Sequence, residues 1–104
     1  MTTRIADDLL RRLRNDIPID WLIEYRLDLP WKRHEGIFRF LCPLCGEFHT
    51  ATSRQSNLAR CFRCKKSLNP IDITMAVDGC SFLQAVAILE PLLSAARPAR
   101  SRGS

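Results

Sequence analysis

Two Cys-x-x-Cys pairs, Cys42-Pro43-Leu44-Cys45 and Cys61-Phe62-Arg63-Cys64, stand fifteen residues apart in this chain. Each pair sets two thiolates on one tight turn. Two such turns facing each other make a tetrahedral four-sulfur cage, the geometry that Zn²⁺ accepts in closed structural sites. One pair alone would be ambiguous between redox and metal chemistry; two at this separation point to a zinc ribbon. One structural Zn²⁺ is therefore expected on Cys42, Cys45, Cys61 and Cys64, with no open position for a reactive water. His49 is a rival for the place of Cys45, but its separation from the first pair suits a ribbon less well. His34 lies in a basic loop with no ligand partner visible in sequence.

A chain of 104 residues makes one small domain with a thin core, which a metal would help to stabilise. Met1 is followed by no apolar signal region, and no stretch approaches the ~18 consecutive apolar residues of a membrane span. The chain reads as soluble and cytoplasmic, with no membrane partner. Thiols stay reduced there, so five cysteines favour metal over disulfides. The fifth, Cys80, is expected to be a small, buried, unreactive side chain.

Charge is unevenly spread. The whole chain has 16 basic and 11 acidic residues, net +5. Residues 32–66 alone hold eight basic residues against Glu35 and Glu47, net +6, whereas residues 1–31 are nearly neutral. A polyanionic partner meeting the ribbon is the natural inference. A solvated basic surface with no partner is the plainer alternative.

Residues 3–14 have helical apolar spacing at Ile5, Leu9 and Leu13, with acids early and arginines late. A second short helix is expected from Pro18 to about Tyr25, and Leu29-Pro30-Trp31 as loop. Strands are expected over 37–41, 49–54 and 58–62, with Gln55-Ser56-Asn57 as a turn and Gly46 allowing the positive φ of a metal knuckle. Asn69 and Pro70 open a helix that Gly79 ends. Ser81 and Gln84 form the capping box of another, with an apolar stripe of Phe82, Ala85, Val86, Leu89 and Leu93 and a late Pro91. The fold expected is α+β: a three- or four-stranded antiparallel ribbon (32–68) flanked by an N-terminal helical segment (1–31) and C-terminal helices (69–93). Residues 94–104 read as a disordered basic tail.

Cys42-Pro43, Cys61-Phe62-x-Cys64, the run Asn69, Ile71, Asp72, Ile73, and Asp78-Gly79-x-Ser81-Phe82-x-x-Ala85-Val86-x-x-Leu89 together resemble the N-terminal zinc-binding domain of bacterial DNA primases. The likeness covers roughly residues 4–93. Its last part lies outside the metal site, where zinc ribbons in general share nothing. Three departures matter. Cys45 stands where the family usually has His. Glu47-Phe48-His49-Thr50-Ala51-Thr52 replaces the family's Thr-Pro-Ser-Phe-like run, and Lys65, Lys66 and Leu68 replace its glycines. The chain also carries no counterpart of the polymerase and helicase-binding domains and no acidic cluster for catalytic Mg²⁺, so it reads as a stand-alone, non-catalytic module.

The resemblance implies template recognition: a DNA-binding accessory in replication or priming that prefers single strands, with a separate primase or replication protein as partner. A mobile element is one setting for it. The residues themselves interleave aromatic and basic side chains, the pattern of single-strand binders. Arg39, Arg54, Arg60, Arg63, Lys65 and Lys66 are the candidate phosphate contacts. Phe38 and Phe40 share one strand face and are expected in the core rather than as a stacking platform. The competing class is a zinc-stabilised module that docks on a replication, transcription or conjugation protein through a leftover apolar patch.

Overall fold

A computed structural model describes residues 6–94. Helix α1 (Asp7–Asn15) places Asp7 and Asp8 at its positive end and Arg12 and Arg14 at its negative end, and buries Leu13. Of the expected helix, residues 3–5 lie outside the described residues, as do residues 95–104 of the expected tail. After Pro18 comes a short α2 (Ile19–Trp21), which widens into a π-turn at Leu22–Arg26. There the Leu27 N–H reaches back five residues to the Leu22 carbonyl at 2.9 Å. The segment points Ile19, Leu22 and Ile23 into the core.

Five strands follow in two sheets, β1 (Trp31–His34) with β2 (Ile37–Phe40), and β3 (Thr50–Ser53), β4 (Leu58–Cys61) and β5 (Lys66–Leu68) in that order. The expected strands 37–41, 49–54 and 58–62 correspond to β2, β3 and β4. Two were not expected. β1 begins at Trp31, inside the expected loop, and turns into β2 through Glu35 and Gly36, both at positive φ (52° and 79°), the requirement of a two-residue type I′ hairpin. β5 pairs Lys66 with Cys61 and Leu68 with Ala59. Phe38 and Phe40 are buried, as expected from their shared face. Trp31 stacks on Phe38 with ring centres 5.1 Å apart.

Two polar side chains join the parts. Thr50 is fully buried; its Oγ1 accepts the Phe40 N–H at 2.9 Å and donates to the Phe40 carbonyl, so one hydroxyl continues the hydrogen bonding between the two sheets. Asn57, in the β3–β4 turn at φ 56°, reaches across to the α1–α2 junction. Its Nδ2 donates to the carbonyls of Arg14 (2.6 Å) and Ile17 (2.8 Å), and its Oδ1 accepts the Ile19 N–H (2.9 Å).

Helix α3 (Pro70–Asp78) starts with a reciprocal capping box between Asn69 and Asp72 and ends at Gly79 in the left-handed conformation. Helix α4 (Phe82–Leu89) starts with the Ser81–Gln84 box, and Pro91 lies beyond its end. The core is one cluster in which α1, the π-turn, α3 and α4 cover the inner faces of β2 and β4: Leu13, Leu22, Ile23, Phe40, Ala59, Ile73 and Leu89 have no exposed surface. Phe82, expected in the inward stripe of α4, instead lies 41% exposed at its first turn, where the helix has not yet reached the core. No single helix among the described residues is long and apolar enough to cross a membrane.

Candidate metal centre

The first knuckle follows β2 and the second links β4 to β5, and the two are built alike. In each, the residue after the second cysteine donates its N–H to the carbonyl of the first: Gly46 to Cys42 at 2.9 Å, Lys65 to Cys61 at 2.8 Å. Both residues take positive φ, 72° for Gly46 and 60° for Lys65. Gly46 does so without cost, as its sequence position suggested. Backbone N–H groups also point at sulfur, Leu44 to Cys42 Sγ (3.4 Å) and Cys64 to Cys61 Sγ (3.3 Å). The Cys42 N–H donates to the Glu47 carbonyl at 3.0 Å, which closes the first loop on itself.

These turns bring the four sulfurs of Cys42, Cys45, Cys61 and Cys64 within 4.8 Å of one another. Across the knuckles, Cys42 lies 3.9 Å from Cys64 and Cys45 lies 3.6 Å from Cys61. Four thiolates at the usual ~2.3 Å from a tetrahedral ion stand about 3.8 Å apart. The two edges across the knuckles thus match those of a four-sulfur site, and all five cysteines are free thiols. Cys42 and Cys61 are buried, whereas Cys45 and Cys64 face the rim. The group fits one metal ion held by sulfur alone; His49 is not in the cluster.

The thiols have unequal acidities. Burial pushes the pKa of Cys61 up, but the Cys64 N–H and the Cys45, Cys42 and Cys64 thiols donate to its sulfur and bring the pKa down to about 7. Burial pushes Cys64 up to about 12, with its donations to Cys61, Cys45 and Cys42 adding to the rise. Burial likewise raises Cys45. One negative charge is therefore accommodated readily and the next ones are resisted. A divalent cation removes that resistance, because it stabilises all four thiolates at once.

The remaining candidates are scattered. His34 sits at the hairpin tip, 3.8 Å from the Glu35 carboxylate. Cys80 is half-buried with its Sγ 3.9 Å from the Thr74 carbonyl. Among the basic residues, Arg39 donates to the Thr50 carbonyl at 3.0 Å and Arg54 lies 3.7 Å from Asp20. Lys66 pairs with Cys61 and so lies on the opposite sheet face from Arg60, while Arg63 and Lys65 are exposed on the second knuckle. Of the described basic residues, Arg60 alone meets an exposed aromatic ring: its guanidinium is 5.7 Å from the centre of Phe62 and donates to Ser67 Oγ at 3.1 Å. Phe62, between the two ligands of the second knuckle, is 53% exposed. With Ala51, Ser53, Leu58 and Ser67 these two side chains line a shallow groove of about 180 Å³ on the outer sheet face. The alternation Leu58, Arg60, Phe62 against the buried Ala59 and Cys61 is the sequence signal that places Phe62 there.

No protein-family model matches the chain, and no curated protein matches it.

Proposed function

We propose that the metal is zinc and that the chain is a zinc-ribbon module binding single-stranded DNA, an accessory to replication or priming in the cytoplasm. The observation that carries this is the exposed Phe62 beside Arg60, on a sheet face shared with Ala51, Ser53, Leu58 and Ser67. An exposed ring stacks an unpaired base whatever its identity, and a neighbouring guanidinium meets the adjoining phosphate. A duplex offers no free base face to such a platform. The net +6 of residues 32–66 supplies the long-range attraction. The likeness of the two knuckles and the Asn69–Leu89 region to the primase zinc-binding domain supports the replication setting, with a primase or another replication protein as partner.

Fluorescence anisotropy of the zinc-loaded protein with a labelled single strand and the matching duplex, each titrated with salt, tests this. Tighter binding to the single strand, weakening steeply with salt, is the expected result. Equal affinity for both forms, or no binding at low salt, contradicts it. A second reading, docking on a replication, transcription or conjugation protein, draws on Phe82 and Leu83, which α4 leaves 41% and 48% exposed. Binding of that kind is nearly indifferent to salt.

A further inference from the structure

Beside the sulfur cage, the hairpin gathers charge in an unusual way. Lys32 and Arg39 are direct cross-strand partners, so their side chains leave the same face. Like charges in that relation destabilise a hairpin. No carboxylate lies within 4.0 Å of either cation among the described residues. Both line an open cleft of about 440 Å³ with Gly46, Glu47, Phe48 and His49. Lys32 Nζ stands 4.8 Å from the centre of the Phe48 ring, a contact with the ring face that leaves its N–H donors available. Arg39 gives an Nη1 N–H to the Thr50 carbonyl. That bond fixes the guanidinium in the cleft wall and leaves other donors of its fork open. The His49 ring adds one N–H donor whichever nitrogen carries the proton. Glu47 is the one acid on the rim, so the cations outnumber it.

The position of the cleft indicates what it meets. The Phe62 N–H donates to the His49 carbonyl at 2.8 Å. This extends the register in which Thr50 faces Cys61 and Ala51 faces Arg60. His49 and Phe62 are therefore neighbours on the outer sheet face, and His49 also lines the Lys32–Arg39 cleft. A continuous strip runs from Ser53 and Leu58, past Ala51 and Arg60, to Phe62 and His49, and on into the cleft. Its sheet portion spans about 13 Å at the usual strand rise.

We infer that Lys32, Arg39 and His49 form a nucleotide-phosphate site, holding the phosphate attached to a nucleotide whose base stacks on Phe62. The stacked base rests on the sheet-face reading given above; the cation cleft does not. The phosphate belongs either to a strand crossing the sheet or to a free nucleoside triphosphate. Both probes are added in turn to zinc-loaded, ¹⁵N-labelled protein: a short oligothymidylate and dTTP. The expected result is movement of the Lys32, Phe48 and His49 amide signals. Lys32→Gln, which leaves the Arg39–Thr50 bond and the metal untouched, is expected to weaken binding about 3- to 10-fold and to reduce the salt slope for the oligonucleotide by about 0.7. Movement with the oligonucleotide identifies a strand phosphate, and movement with dTTP alone identifies a free nucleotide. The site is overturned when neither probe moves those amides, or when Lys32→Gln binds the active probe as wild type does. Cleft shifts with dTTP, in a protein that binds no oligonucleotide, uphold the site and remove the sheet-face reading instead.

Discussion

Asn57 takes positive φ in a turn and sends a buried side chain to three backbone groups, those of Arg14, Ile17 and Ile19. Asparagine tolerates that backbone conformation better than other residues with a Cβ, and its amide both donates and accepts. Asn57→Ala removes all three bonds and strains the turn. It is expected to cost about 2–4 kcal/mol in denaturant unfolding of the metal-loaded protein. A loss below about 0.5 kcal/mol, the range of an ordinary surface change, contradicts the tie. At Gly46 the effect is confined to the backbone: a Cβ built there meets nothing within 4 Å, but φ is 72°. Gly46→Ala is expected to cost about 1–2 kcal/mol and to keep full metal stoichiometry by elemental analysis. The two residues also differ in how legible they are. Gly46 follows a cysteine knuckle and announces its role locally. The partners of Asn57 lie 38 to 43 positions away, and nothing in Gln55-Ser56-Asn57 points to them.

The helices α3 and α4 were legible because their ends are set by neighbours in sequence: Asn69 with Asp72, Gly79, and Ser81 with Gln84. β1 was not. Trp31, Lys32, Arg33 and His34 are all exposed, so no apolar alternation marks them, and the strand exists because β2 offers a partner. The π-turn is likewise a product of packing, since Leu22 and Ile23 must both reach the core. On the outer sheet face, Phe62 is half-exposed and stands outside the buried core cluster. Phe62→Ala is therefore expected to leave the melting temperature unchanged within about 1 °C. The same variant should lower single-strand affinity about 5- to 100-fold by anisotropy, the worth of one stacked base. An unchanged affinity contradicts the platform, and a lowered melting temperature would make Phe62 a packing residue.

At the scale of the whole molecule, the sulfur cage connects the segment after β2 to the β4–β5 turn, and so fixes both the sheet face and the hairpin beside it. The four cysteines were the plainest signal in the sequence, because chain spacing alone sets a cage. Without metal, two opposing effects of pH follow. Cys61 is held near 7, below the ordinary thiol value of ~8.5, so its contribution to stability is present above that ordinary value and fades as pH falls through about 7. Cys64, raised to about 12, contributes below the ordinary value and loses that contribution as pH rises towards about 12. Metal uptake at pH 7 must displace the remaining thiol protons. Titration calorimetry in buffers of different ionisation enthalpy is expected to count about three to four protons released per ion. A count near zero contradicts a site of four thiolates.

The most direct measurement is X-ray absorption at the zinc edge of protein purified without added metal, with elemental analysis beside it. The expected result is one zinc per chain with four sulfur neighbours at about 2.3 Å and no lighter atom in the shell. A nitrogen or oxygen neighbour would mean that His49 or water replaces one of the four cysteines. Iron in place of zinc would give the same cage a different chemistry. Either result contradicts a closed zinc centre on Cys42, Cys45, Cys61 and Cys64.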